Sequence, residues 1–156
     1  TVIIPTASIR DEGTTIEYNP STFPAVADLD IVTALRDSAK QTTTPYRIGI
    51  NRTHDAFYGS ERSTTRWGDY LNDPRWENID TPIISSEMES SALFIVASLR
   101  GVKAGAIFAA NADPEPLKSR LNKEKILTTT EKNKEVTQET TNKTIVIALE
   151  ALLKLK

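Results

Sequence analysis

Short apolar runs recur between segments of helical period along this 156-residue chain, and that alternation limits the fold more than any other feature. Val2-Ile3-Ile4, residues 46–50 (YRIGI), Pro82-Ile83-Ile84-Ser85 and residues 102–110 (VKAGAIFAA) are continuous rather than alternating in hydrophobicity. Strands of that kind are covered on both faces, as in parallel sheets flanked by helices. Val26, Leu29, Val32, Ala34 and Leu35 recur at three- and four-residue spacing and predict a helix running from about residue 25 to 40. A second helix is expected over 92–99, closed by Gly101. Both its faces should be buried, since Leu93, Phe94, Ile95, Val96 and Leu99 leave little polar surface. Ile145, Ile147, Ala148, Leu149, Ala151, Leu152 and Leu155 place a broad apolar stripe on a helix over 144–155. The expected fold class is α/β, a mixed, largely parallel sheet flanked by helices. No repeat or composition shift divides residues 1–156, so one domain is expected.

The remaining segments are less regular. Residues 1–10 read as a strand with a start interrupted by Pro5. Asp11-Glu12-Gly13 is a turn signal, and residues 14–18 (TTIEY) alternate, so a hairpin is expected there. Residues 51–55 read as a polar loop with a solvent-exposed His54. Residues 60–82 read as a long loop with a short helix near 67–71, and 102–110 as a fully buried strand. A loop follows at 111–116, and residues 118–134 carry mixed charge on a solvated helix or loop.

Composition removes several classes of chemistry. With no cysteine, thiol nucleophiles, zinc-thiolate sites and redox switching are excluded. The single histidine makes His54 the only base available to a serine triad. Lys and Arg number 19 against 21 Asp and Glu, for a net charge of -2, so no basic surface recommends nucleic acid or a membrane. No run is long enough for an apolar spanning helix and no signal peptide is visible, so a cytoplasmic setting is expected.

Candidate chemistry gathers where the third apolar run meets the second helix, at Ser85-Ser86-Glu87-Met88-Glu89-Ser90. Ligands of α/β sheets bind where strands end and helices begin, because N–H groups and loop side chains converge there. If the strand persists to Glu89, Glu87 and Glu89 share one side of the extended chain and face one pocket. The same residues also suit an ordinary helix start, with Ser86 as N-cap and acids in the first turn. Phe57-Tyr58 could stack on a planar ligand or close a core. Asn111 and Asp113 follow the last strand, where Asp113-Pro114 is also a turn signal.

Ser86-Glu87-Met88-Glu89-Ser90-Ser91-Ala92 resembles the EMES(A/S)A signature of the nucleoside phosphorylase superfamily, in its uridine phosphorylase-like branch. Further matches follow the family's order: Ala7-Ser8-Ile9-Arg10-Asp11-Glu12-Gly13, Phe23-Pro24-Ala25-Val26-Ala27-Asp28, Asp55-Ala56-Phe57-Tyr58 and Gly101-Val102-Lys103-Ala104-Gly105. The match extends along nearly the whole chain. The family's glycine- and arginine-bearing phosphate loop and its second Gly/Thr-rich phosphate contact are not in the sequence. The chain is therefore expected to be the C-terminal portion, somewhat more than half, of such an enzyme, with an incomplete sheet.

The resemblance implies a pentosyltransferase that uses phosphate to cleave the N-glycosidic bond of a pyrimidine nucleoside, uridine first, giving free base and ribose 1-phosphate. It assigns catalytic roles to Glu89 and Asp113, and substrate contacts to Phe57, Arg62, Glu87, Met88 and Glu89. Glu89 would bind the ribose 2′- and 3′-hydroxyls, Met88 would pack on the sugar and Glu87 would lie nearby. Phe57 would stack on the base, and Arg62 would meet the base edge. Ser60 stands where the family pattern usually has Gln, which leaves uracil selectivity open. Asp113 is the nearest match to the Asp that protonates the departing base in purine-specific relatives, with Asn111 a competing alignment. No metal or cofactor is implied beyond phosphate as co-substrate. The partners implied are nucleoside and phosphate, in a homo-oligomer (dimer or hexamer) of the full enzyme. This chain alone is expected to be inactive. Two other readings stand beside it: a truncated, non-catalytic binding or assembly chain, and an N-ribosyl hydrolase that uses water.

Overall fold

A computed structural model of the chain describes residues 1–56, 83–110 and 123–155. In chain order they form β1 (Val2–Asp11), a 3-10 turn (Thr15–Glu17), β2 (Ala25–Val26), α1 (Leu29–Gln41), β3 (Tyr46–His54), β4 (Ile83–Glu87), α2 (Ser90–Arg100), β5 (Phe108–Ala109) and α3 (Lys123–Lys154). The strands make a mixed sheet in the order β2-β1-β3-β4, with β5 also on β1. The two short strands pair antiparallel to β1. The long ones run parallel. β3 and β4 pair in parallel register, Thr53 opposite Glu87. β1 meets β3 at a constant offset, Val2 N–H donating to Pro45 C=O and Thr6 Oγ1 to Gly49 C=O. This is the expected α/β sheet.

The chain divides into two compact units. The first comprises Thr1–Ile4, Asp30–Arg47 and Ile107–Lys156. Its core is aliphatic: Val2, Ile3, Ile4, Val32, Leu35, Ala39, Ile147 and Ala151 are all buried. Helix α1 ends where Thr43 takes a φ of 51°, a left-handed position more often given to glycine. The second unit comprises Pro5–Leu29 and Ile48–Ala106. It buries Phe94, Ile95 and Ala97 of α2 with Ala25, Ala27 and Ile83, and also an unusual set of polar groups: Ser8, Thr15, Asn51, Thr53, Ser90 and Ser91.

Several local expectations are corrected. Helix α1 starts at Leu29, because Ala25 and Val26 pair with Ser8 and Ala7 of β1. The segment at 14–18 forms a 3-10 turn instead of a hairpin strand, since Arg10 and Glu12 take the C=O and N–H of Thr15. Strand β1 runs through Pro5 without interruption. Strand β3 continues through the polar residues to His54, which is buried. Helix α2 buries one face only, Leu93 and Leu99 being 48% and 49% exposed. Of residues 102–110 only Phe108–Ala109 forms a strand; a run rich in Ala and Gly offers little side chain for a sheet face to bury. The apolar stripe of α3 is split, with Ile147 and Ala151 buried but Ile145, Leu149 and Leu152 exposed. That helix also begins earlier than expected, at Lys123, and takes in part of the mixed-charge segment. The loops expected at 60–82 and 111–116, with the short helix near 67–71, lie outside the described residues.

Candidate functional site

The junction of β4 and α2 is organised around one carboxylate. Glu87 Oε1 accepts from Asn51 Nδ2 (2.5 Å), Thr53 Oγ1 (2.7 Å) and Ser90 Oγ (2.8 Å). Its Oε2 accepts from the backbone N–H groups of Glu89 (2.8 Å) and Ser90 (2.7 Å). Those two N–H groups open α2 and have no partner within the helix, so Glu87 caps it from two residues outside. Partial burial pushes the Glu87 carboxyl up; the hydrogen bonds from Thr53, Ser90 and the backbone outweigh it and hold the group below the ordinary range.

The donors are themselves fixed. Asn51 and Thr53 are two apart on β3, so they project to one side of the sheet, toward β4. The register between the strands shifts at Ile50/Asn51, where Ile50 faces Ile83 but Asn51 faces Ser85. Such irregularities re-aim side chains, and this one falls at the first of the two polar residues. Asn51 Oδ1 accepts from Ser85 Oγ (2.8 Å). Ser90 Oγ spends its proton on Glu87, so Ser8 is the donor in the 2.6 Å contact between the two serines. Thr53 Oγ1 likewise accepts from Ser91 N–H (3.0 Å).

A second carboxylate anchors the other end of the cluster. Glu12 accepts from Thr15 N–H (2.9 Å), Thr15 Oγ1 and Ser91 Oγ (2.9 Å). Burial raises its pKa, and bonds from Thr15 and Ser91 together lower it below the ordinary value. Arg10 gives hydrogen bonds to Thr15 Oγ1 and to the carbonyls of Thr15, Asn19, Pro20 and Phe23. Its guanidinium is a brace for the 15–23 segment, with its donors already engaged. Arg52 pairs with Asp11.

Glu89 differs from all of these. It is exposed at the N-cap of α2, and among the described residues its carboxylate accepts one long bond, from Met88 N–H (3.3 Å). Met88 beside it is 36% exposed. The strand does not persist to Glu89; β4 ends at Glu87, and the two carboxylates part, one turned onto the protein and one left outward. Ser86 is an exposed strand residue rather than the cap. Glu87, Met88 and Glu89 are thus the candidate residues that the structure describes; Phe57, Arg62, Asn111 and Asp113 lie outside the described residues. Sequence reasoning missed Asn51, Thr53 and Glu12. The available signal was the i, i+2 spacing of Asn51 and Thr53 directly after the apolar run at 48–50.

Among the described residues no group of His, Asp or Glu is placed to hold a metal ion, and no helix is long and apolar enough to cross a membrane.

The family model described as phosphorylase superfamily matches residues 1–152. A uridine phosphorylase of Treponema pallidum (strain Nichols) is 38% identical over 108 residues, covering 69% of this chain and 42% of that protein. The uridine phosphorylase of Escherichia coli (strain K12) is 32% identical over 112 residues, 68% of this chain and 44% of the relative. A guanosine phosphorylase of Halorubrum lacusprofundi is 30% identical over 106 residues, covering 68% and 40%. The matched stretch therefore covers less than half the length of each of these curated relatives.

Proposed function

From the premise that the chain belongs to the phosphorylase superfamily, we propose that the protein carrying it is a nucleoside phosphorylase acting on a pyrimidine nucleoside, uridine before others. Phosphate attacks ribose C1′ on the face opposite the base. The C1′–O bond forms as the C1′–N bond breaks, and the bonding pair leaves with the base, which takes up a proton. The observation that carries this reading is the contrast at the β4–α2 junction: Glu87 is filled by protein donors, while Glu89 presents an outward carboxylate with spare acceptor capacity. A carboxylate so placed can accept from the 2′- and 3′-hydroxyls, orient the ring and stabilise positive charge growing at C1′. Met88, exposed beside it, would lie against the sugar. Phe57 is proposed to stack on the base, Arg62 to meet its edge and Asp113 to protonate it as it leaves.

The names of the relatives favour uridine, and the guanosine phosphorylase among them makes a purine nucleoside the first competitor. The protein is proposed to work as a homo-oligomer, a dimer or a hexamer, in the cytoplasm. The test is release of free base from uridine, inosine and guanosine, each with and without phosphate, alongside the mass in solution. Phosphate-dependent release of uracil with formation of ribose 1-phosphate is expected. Release without phosphate would instead mark an N-ribosyl hydrolase, and binding without turnover a non-catalytic chain.

A further inference from the structure

We propose that Glu87 is a positioning residue, which sets the backbone of Glu89 for the sugar and makes no contact with substrate itself. The inference rests on the reading of Glu89 as the sugar contact. A carboxylate has about four lone-pair sites, and Glu87 already receives five donors, three on Oε1 and two on Oε2. A substrate hydroxyl could reach it only by displacing one of them. Asn51, Thr53 and Ser90 are at most 2% exposed, so a displaced donor would be left buried and unpaired, which is costly. The same bonds hold Glu89 from both directions. Its N–H is bound by Glu87 Oε2 (2.8 Å), and its C=O accepts the first bond of α2, from Leu93 N–H (3.2 Å). With both backbone groups tied, the outward side chain of Glu89 departs from a fixed Cα. Through Asn51 and Thr53 that fixed point is tied to strand β3 rather than to a loop.

The test compares Glu87→Gln, Glu89→Gln and the double variant in the protein carrying this sequence. Affinities for uridine and 2′,3′-dideoxyuridine are measured without phosphate, together with hydrogen exchange at the Glu89 and Ser90 amides. Glutamine turns an NH2 group against donors on one side or the other, so the arrangement around position 87 cannot be kept. Glu89→Gln is expected to lose the preference for uridine over the dideoxy compound. Glu87→Gln should lose roughly tenfold of it with faster exchange at both amides, and the double variant should be no worse than Glu89→Gln. Additive losses would make Glu87 a direct contact and overturn the proposal. So would an intact sugar preference or unchanged amide exchange in Glu87→Gln. No preference in the unaltered protein would overturn the reading of Glu89 instead, with the exchange measurement still deciding what Glu87 does. Where Glu87→Gln does not fold, Thr53→Val removes one donor and leaves the carboxylate; it should weaken the preference a few-fold, and no change would overturn the proposal.

Discussion

The two units are packed on different principles. In the first, Val2, Ile4, Leu35, Ala39 and Ile147 fill the interior, with Thr44, Thr140 and Ser38 as buried polar residues among those described, Ser38 Oγ accepting from Lys154 Nζ at 2.8 Å. In the second, the interior next to the β4–α2 junction is a hydrogen-bonded set of hydroxyls, an amide and two carboxylates. Apolar packing is non-directional and tolerates small shifts, whereas a polar network is satisfied in one arrangement and penalised in others. The second unit exchanges some packing stability for a defined geometry, and that is where Glu89 projects.

The largest expected effect separates the two directly. Ile147 has no exposure, so Ile147→Ala removes buried methylenes and leaves a cavity, costing about 2–5 kcal/mol. Chemical denaturation should report that loss. A cost below that of any change in the polar network would break the contrast between the units.

Next comes Glu89→Gln, which should leave stability unchanged, since the side chain is exposed, and lower kcat/KM about a hundredfold, equivalent to roughly 2.7 kcal/mol at the transition state. Steady-state kinetics beside a melting curve would show whether the two effects separate. A parallel loss of stability would mean that Glu89 belongs to the network after all.

Thr53→Val sits between these cases. The side chain keeps its volume but loses the donor to Glu87 and the acceptor for Ser91 N–H. An expected cost of about 1–3 kcal/mol follows from the unpaired buried groups. A neutral result would show that the hydroxyls fill space and do not specify geometry.

How legible this was from sequence follows the same division. Helix α1, the first half of β3 and the apolar face of α2 are governed by hydrophobic periodicity, and the sequence displays periodicity openly. The polar second half of β3 was not legible as strand, because Asn51 and Thr53 are satisfied in the interior by partners far along the chain, among them a carboxylate 36 and 34 residues away. The turn at Thr15–Glu17 is hidden for a related reason: its backbone groups are claimed by Arg10 and Glu12 side chains, which local alternation does not register. At the junction, spacing placed Glu87 and Glu89 together as equals. Their separation into a half-buried cap and an outward acceptor depends on where β4 stops, and there Glu87 takes the N–H groups of Glu89 and Ser90 that open α2.

Acid should act on the second unit in a way that salt does not imitate. Glu87 and Glu12 both have folded pKa values lowered from the ordinary 4.5. A carboxyl with a depressed folded pKa stabilises the fold fully above its unfolded value, and that contribution fades as pH falls through the folded value. The loss therefore begins below about pH 4.5, with Glu89 the other carboxyl at the junction. Among the described residues of the first unit, Asp37 is lowered through its bond to Arg36 and Glu139 through its bond to Lys143. Both are exposed surface pairs, which salt screens. Amide exchange between pH 7 and 3 should show α2 losing protection on acidification at low and high salt alike. Equal sensitivity to salt in both units would remove this part of the contrast.

The smallest effect is expected at Leu149, one half-turn from Ile147 on the same helix. Leu149 is 58% exposed while Ile147 has no exposure, although both belong to the stripe that periodicity marked as apolar. A side chain that leaves most of its surface in water contributes little transfer free energy, so Leu149→Gln should change stability by no more than about 0.5 kcal/mol. Glutamine is also nearly as good a helix former as leucine, which removes propensity as a confounding cost. The informative measurement is the difference between the Ile147 and Leu149 variants in one denaturation series. A difference of several kcal/mol locates the stabilising burial on one narrow face of α3. A Leu149 cost approaching that of Ile147 would mean that the exposed face is covered in the working protein, and the association state of both variants would then identify whether a second copy covers it.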